Sequence, residues 1–284
     1  MGSEMCIRDR LDVPGSERGA SSPHAKRLRK GRPMDRVIYE RMAATQQVHW
    51  WFAGRRLILH HLLESLRLPP ESRILEVGCG TGANVAMLQK FGSVSAVELD
   101  PFARAHVGAA MKIEVAPGSL PDQLPYADRK FDLICLFDVL EHVEHDREAL
   151  SVLRERLAPR GVLVITVPAY QWLYSSHDEQ HHHYRRYTAH QLRTVAKAAG
   201  LQPTRVGYYN SVLFPLALIR RMAEKLLNLD PIDDSALPGS LLNGLLYRAF
   251  SLEARLIGSW FFPFGLSVVG LFRADSFHSD VPNQ

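Results

Sequence analysis

Cysteine is scarce in this chain, with three residues among 284. Cys79 sits in a glycine-rich turn and Cys135 in an apolar run, positions that exclude a disulfide-framed scaffold and suit reduced, buried thiols, so a reducing, cytoplasmic setting is expected. Long apolar runs are missing too. The nearest approach, Leu256 to Phe272, is broken by Pro263 and Gly265, so neither a transmembrane helix nor a signal-peptide core is expected. Excess charge of one sign is confined to the beginning of the chain. The formal net charge is +4, and residues 1–33 hold eight Lys/Arg against four Asp/Glu, which leaves 26 of each sign in residues 34–284. The remainder is neutral, and no nucleic-acid partner is expected.

What is present is a core and a tail. Hydrophobic residues make up 46% of the chain, enough for one large globular domain with an elaboration. Residues 1–33 are rich in Gly, Ser, Pro and Arg without apolar periodicity and are expected to be disordered. The run Lys26 to Arg32 reads as a solvated tail or as a nucleic-acid patch. Met5 to Arg10 resembles the translated end of a transposon-based sequencing adapter, which would make Met34 the natural start.

The rest is organised around Ile74-Leu75-Glu76-Val77-Gly78-Cys79-Gly80-Thr81-Gly82 and the Ala83 to Leu88 segment after it. A short strand reaches a glycine turn and a helix is expected to open at once, as in the ligand sites of open α/β sheets. Unpaired N–H groups of that first helical turn would favour an anionic group. Read as Gly78-x-Gly80-x-x-Ala83, the turn also passes for a dinucleotide fingerprint. Glu76 argues against it, since a carboxylate two residues before the first glycine repels a pyrophosphate and suits a cationic ligand.

Glu76 to Gly82 resembles the first motif of the class I S-adenosylmethionine-dependent methyltransferases. The resemblance covers roughly Glu71 to Gly207 and a last strand. It implies a Rossmann-like α/β fold with seven strands, mostly parallel, the last antiparallel, and a second acid at the end of the next strand for the ribose hydroxyls. Glu98 fills that place. The implied cofactor-binding set is Glu76, Gly78, Cys79, Gly80, Gly82, Glu98, Leu99, Ser119, Leu120, Phe137 and Asp138. Ser119 stands where relatives usually carry an acid for the adenine amine, so backbone groups of Ser119 and Leu120 become the candidates. Trp50-Trp51-Phe52, the Phe137 to Val143 stretch and the His177 to Tyr187 loop look like bacterial small-molecule methyltransferases, quinone-biosynthesis types included.

Taken in order, residues 34–68 read as a helical cap, residues 69–210 as the cofactor-binding core, residues 211–264 as a helical insertion and residues 265–284 as the last strand and tail. In the cap, the stretch His49 to Arg56 is expected to pack the cap on the sheet; the alternative is that the cap covers the cofactor, with Arg55 or Arg56 near the methionine carboxylate. Strands are expected at Ile113 to Val115, Phe131 to Phe137, Val162 to Val167, Pro203 to Tyr209 and Leu266 to Arg273. In the insertion, Leu216, Ile219, Met222, Ala223, Leu226 and Leu227 share one face and Arg220, Arg221, Glu224 and Lys225 the other. That pattern predicts a lid packed on the domain, or a surface for a membrane or a lipid-like acceptor.

Methyl transfer from a sulfonium needs alignment first and a general base only for a hydroxyl or a protonated amine. His142, after the fourth strand, and His177, in the loop after the fifth, are the candidate catalytic residues. His177, Asp178 and His181 have a spacing that could ligate a divalent metal on a helix, but a hydrogen-bonded polar lid is the preferred reading and no metal is expected. Arg185 and Arg186 could bind an acidic acceptor. The expected function is methyl transfer to a small-molecule, apolar or lipid-like acceptor. The competing readings are a nicotinamide-dependent dehydrogenase, disfavoured by Glu76, and a membrane-associated cofactor-binding protein without turnover.

Overall fold

A computed structural model describes residues 36–227 and 236–274. The basic run, the adapter-like stretch, residues 228–235 of the insertion and the C-terminal tail lie outside the described residues. The sheet has seven strands: β1 (Ser72–Val77), β2 (Gly92–Glu98), β3 (Val115–Pro117), β4 (Phe131–Phe137), β5 (Leu157–Pro168), β6 (Leu201–Tyr209) and β7 (Ser267–Ala274). Their order is β3-β2-β1-β4-β5-β7-β6. The first five run parallel, and β7 enters antiparallel between β5 and β6. Chain order reverses about β1, and at such a switch point the carboxyl ends of the strands leave a crevice for a ligand.

The central strands are continuous apolar runs because both of their faces are covered. Along β4, Leu133, Cys135 and Phe137 enter one core layer while Ile134 and Leu136 enter the other, following the two-residue period of a strand. The first layer is closed by α2 (Trp50–Ser65), whose Ile58, Leu59, Leu62 and Leu63 are buried at helical spacing. The second is closed by α5 (Asp146–Arg156) and α7 (Ala189–Ala198) through Leu150, Leu153 and Leu192. Each fully buried side chain of this kind contributes roughly 1.5–3 kcal/mol.

Local signals set the boundaries. Helix α4 (Pro101–Met111) starts where Asp100 accepts from the Ala103 N–H at 2.9 Å with Pro101 in the first turn, and it ends at Lys112 in the left-handed region. That turn carries the chain through Ile113 and Glu114, so β3 begins at Val115 rather than at Ile113. Helix α7 starts on a capping box between Thr188 and Gln191, which satisfies two orphan donors reciprocally.

Three elements differ from what the sequence pattern predicts. The helix after the glycine turn, α3 (Val85–Leu88), is one turn long. Asn84, at its cap position, does not cap it; the amide turns back to Glu76 Oε1 at 2.9 Å. Helix α8 (Phe214–Leu227) is built the other way round from the expected lid: Leu216, Ile219 and Met222 are 57%, 66% and 55% exposed, whereas Arg220 and Arg221 are half-buried toward the domain. The third difference is how the insertion is anchored. Buried Glu253 accepts from the N–H groups of Asn210 (2.7 Å), Ser211 (2.5 Å) and Val212 (2.7 Å), pinning the chain as it leaves β6. Helices α9 (Ser240–Ser251) and α10 (Ala254–Ile257) then pack on α2.

Candidate cofactor and acceptor site

A cavity of about 2000 Å³ lies over the carboxyl ends of β1, β2, β4 and β5. Its inner end is the glycine turn. Gly78 has φ +73°, and a Cβ there would come within 2.5 Å of Val139 Cγ2; Gly80 has φ +53°, and a Cβ there would meet nothing within 4 Å. Gly78 therefore keeps the turn against the β4 side. Gly80 borders open space in the cavity wall, the place where a ligand can approach the backbone.

Three carboxylates set the electrostatics of this end. Glu76 is 1% exposed; Asn84 holds Oε1, while Oε2 is buried without a hydrogen-bond partner. Desolvation pushes its pKa up to about 7 despite the Asn84 bond and nearby Arg55. Glu98 is held by the Gly80 N–H on Oε2 (2.8 Å) and by the Asp100 N–H on Oε1 (2.9 Å), with the Tyr39 hydroxyl 3.3 Å from Oε1. Asp138, at φ +55°, forms an ion pair with Arg55 and accepts from Thr166 Oγ1 at 3.0 Å. A cationic ligand suits this end.

The cap folds over the glycine turn. Helix α1 (Arg36–Thr45) places Tyr39 on Glu98, and in the turn that follows Gln46 exchanges hydrogen bonds with Thr81: Nε2 donates to the Thr81 carbonyl (3.1 Å) and Oε1 accepts from Thr81 Oγ1 (2.6 Å). His49 accepts from the Trp51 N–H at 3.2 Å, and Trp51 lies under the Arg55 guanidinium at 4.8 Å. Asn243 of α9 accepts from the Trp50 N–H and donates to the Val48 carbonyl, each at 2.9 Å. Arg55 thus faces the site, but through Asp138. Arg56 does not, because its guanidinium donates to the Gln46 carbonyl at 2.6 Å and to the Gln47 carbonyl at 3.3 Å.

All eleven residues of the expected cofactor set except Gly82 line the cavity or, for Glu76, lie buried behind it. Gly82 packs against Val107 instead, with a notional Cβ 3.0 Å from that side chain. Ser119 uses its N–H and carbonyl on Gln123 (3.1 and 3.0 Å). That leaves its hydroxyl and Leu120 as this wall's contribution. Leu99 is 41% exposed, and its carbonyl accepts from Arg104 at 2.5 Å.

At the outer end the two expected catalytic histidines line the same cavity, each with its ring near that of His183. His142 follows β4 in a short turn, and its ring lies 4.6 Å from that of His183; His177, in α6 (Ser176–Gln180), is 4.3 Å from His181 and 6.4 Å from His183. Burial and the neighbouring His183 hold His142 well below the imidazole range, and burial with nearby His177 brings His181 down to about 3. Both rings are neutral at physiological pH.

Asp178 does not join His177 and His181 as a ligand. It is fully buried, it accepts from Arg186 Nε (2.7 Å) and Nη2 (2.9 Å) and from the Ser175 N–H (2.8 Å), and it bonds His183 Nδ1 at 2.8 Å. Arg186 is therefore an internal partner, and Arg185 is tied to Asp146 at 2.8 Å and to the Glu144 carbonyl at 2.7 Å, so neither is placed for an acidic acceptor. Arg186 does line the cavity, with its guanidinium engaged by Asp178, and Arg41, Arg55, Arg220 and Arg221 line it too, Arg221 donating to Ser175 Oγ at 3.1 Å. Sequence reasoning gave no role to Tyr39 or Gln46, and it placed Glu141 and His183 only within stretches expected near the cofactor and the acceptor, without a role of their own. Only the adjacency of Glu141 to His142 at a strand end could have signalled one of them.

The fold and this site define a class I S-adenosylmethionine-dependent methyltransferase. A family model described as a methyltransferase domain matches residues 50–206, over half of the chain, and the chain belongs to that family. Among similar proteins, the mitochondrial ubiquinone biosynthesis O-methyltransferase of Schizosaccharomyces pombe is 33% identical over 138 residues, 41% of this chain and 48% of the relative. Trans-aconitate 2-methyltransferase of Deinococcus radiodurans is 30% identical over 132 residues, 44% of this chain and 46% of the relative. The chain thus spans about half the length of these relatives. Among solved structures, the N-methyltransferase NodS of Bradyrhizobium japonicum superposes with a TM-score of 0.52 at 17% identity, covering 84% of this chain and 97% of that one. The cyclase SpnF does so with a TM-score of 0.51 at 19% identity, covering 79% and 82%. These likenesses are of fold.

The cofactor of the family is S-adenosylmethionine, and the residues present fit it. The unpartnered buried Glu76 Oε2 and the open space beside Gly80 are what a cationic ligand on a close-approaching backbone requires.

Proposed function

We propose that this protein transfers a methyl group from S-adenosylmethionine to a small-molecule acceptor that carries an apolar portion. The observation that carries the reading is one cavity with two unlike ends: the glycine turn and Glu98, with Glu76 buried behind them, at one, and Leu213, Leu216, Leu242 and Leu246 lining the other. Glu98 would hold the ribose hydroxyls, Gly78 and Gly80 the methionine backbone, and Glu76 the cationic side of the ligand. Ser119, Leu120 and Leu99 would flank the adenine. When bound, the cofactor supplies an electrophilic methyl on a sulfonium, so the protein's own task is alignment and, for a hydroxyl acceptor, proton removal. His142 and His177, neighbours on the acceptor wall, are the candidates for orienting the acceptor.

Calorimetric titration with S-adenosylmethionine, with its demethylated product and with NAD tests this. Binding of the first two without NAD is expected. Binding of NAD alone would overturn the reading in favour of a dehydrogenase.

A second reading, that the insertion rests on a membrane, is favoured by the outward apolar face of α8 and by Leu241, Leu245 and Leu256, which are 81%, 58% and 53% exposed. No helix among the described residues is long and apolar enough to cross a membrane. Co-sedimentation with anionic vesicles is expected to fall on Ile219→Asp with Leu241→Asp; sedimentation unchanged by both removes the reading.

A further inference from the structure

The outer wall of the cavity carries a group of side chains that cofactor binding leaves unexplained. Glu141 and His142 from the turn after β4, and His183 from the loop after β5, each offer one ligand atom, and these atoms lie within 4.8 Å of one another. Glu141 is 1% exposed, and its Oε2 has no hydrogen-bond partner. A buried, half-satisfied carboxylate is costly unless a cation or a donor completes it.

One of the two imidazoles is prepared in the way metal-ligating histidines are. His183 Nδ1 is fixed on Asp178 Oδ1 at 2.8 Å, and Asp178 is itself gripped by Arg186, which leaves His183 Nε2 as the free ring nitrogen. The His142 ring lies edge to face with that of His183, the ring centroids 4.6 Å apart. An outer carboxylate that fixes one ring nitrogen is the usual second partner of such a ligand. The Tyr184 N–H donates to the Glu141 carbonyl at 2.7 Å and ties the two segments together, while within the second the Tyr174 hydroxyl donates to the His183 carbonyl at 2.9 Å.

We propose that Glu141, His142 and His183 form a divalent transition-metal site, of the zinc type, that binds the acceptor's hydroxyl oxygen. Two imidazoles and one carboxylate with a remaining open position are the donor set of catalytic rather than structural zinc. Bonds of about 2 Å to the ion need only small side-chain rotations from the present separations. All three residues line the cavity, so the open position faces the acceptor space.

The role rests on the methyl-transfer reading. On coordination the acceptor O–H releases its proton to solvent, and the oxygen keeps the electron pair. That pair forms the new O–C bond while the S–C bond breaks, its electrons remaining on sulfur, which becomes neutral. The acceptor class is accordingly an alcohol or phenol.

The test uses the untagged full-length protein, stripped with chelator and dialysed against zinc chloride, with metal per chain measured by mass spectrometry and S-adenosylhomocysteine binding measured on the same samples. One zinc per chain is expected, with affinity falling more than about 100-fold in Glu141→Gln and in His183→Gln, while His177→Gln retains the metal. Glu141→Gln preserves side-chain shape, and circular dichroism checks that both ligand variants are folded. No zinc above the blank, zinc retained in both ligand variants, or zinc lost with His177→Gln overturns the site. Zinc bound as expected without S-adenosylhomocysteine binding would leave the metal site standing and remove the methyl-transfer reading. Homocysteine-adduct binding without zinc would do the reverse.

Discussion

The two ends of the cavity are built on different principles. The inner end is backbone: a strand, a turn with three glycines at positive φ, and carboxylates presented at consecutive strand ends. The outer end is side chain: a histidine wall held by one buried aspartate, plus helices that reach the site from far along the chain through Asn243 and Glu253. The inner end depends on local geometry that any sheet of this topology repeats. The outer end exists only if a few long-range polar contacts form. A ligand common to a family can be served by the first arrangement, and on the proposed methyl-transfer function the acceptor would be met by the second. The cyclase SpnF superposes on this fold, which underlines that the frame alone does not choose the reaction.

The comparison breaks most visibly at Asp178. It is fully buried and is shared by Arg186, His183 and the Ser175 N–H, so Asp178→Ala leaves an uncompensated guanidinium inside. A loss of about 3–5 kcal/mol is expected in denaturant unfolding, together with loosening of the histidine wall. A loss under about 1 kcal/mol would show that the outer end is not organised by that residue.

At the inner end the corresponding group is Glu76, whose carboxyl is moved from 4.5 to about 7 by desolvation. The folded state therefore keeps a proton that the unfolded chain gives up, and stability falls as pH rises through that interval and levels off above it. The full effect is roughly 3 kcal/mol. Between pH 5 and 8 the ligand-free protein should lose stability relative to Glu76→Gln, and cofactor should restore it at the upper end, where the carboxylate is ionised. Parallel pH profiles for the two proteins would place Glu76 outside the titrating set.

Legibility followed the same division. The glycine turn, the acid at Glu98 and the strand positions could be read because each is a short-range pattern with a fixed geometric consequence: a period of two, a glycine where φ is positive, an acid where a strand ends. The antiparallel last strand was implied only by the family resemblance, and no such pattern gives the order of the strands in the sheet. The same patterns misled where tertiary contacts overrode them. The helix after the turn shrank to four residues while Asn84 turned to Glu76. Helix α8 turned its arginines inward, since Arg221 finds Ser175, and Leu216, Ile219 and Met222 outward. His177, Asp178 and His181 have ligand spacing along the chain, yet Asp178 is taken by Arg186, and the donors that converge are Glu141, His142 and His183. No spacing rule links positions some forty residues apart on two different strand ends. Tyr39 belongs with these, since nothing in a helical cap announces that one tyrosine will land on a carboxylate 59 positions away.

Glu98 offers the finest cut between the two ends. Its carboxylate already accepts two backbone N–H groups, from Gly80 and Asp100, so its orientation is set before any ligand arrives. Removing it as Glu98→Ala is expected to weaken cofactor binding by about 1–3 kcal/mol through lost charge-assisted hydrogen bonds. The outer wall shares no hydrogen bond with Glu98, so zinc affinity and the His142–His183 contact should be unaffected by the same change. Tyr39→Phe separates the two roles of the residue: the tyrosine hydroxyl is 3.3 Å from Oε1, a long contact whose loss should shift affinity by no more than about 1 kcal/mol. If Tyr39→Phe matched Glu98→Ala in calorimetric titration, the acid would be acting by holding the cap closed rather than by meeting the ligand, and the inner end would prove as dependent on distant side chains as the outer one.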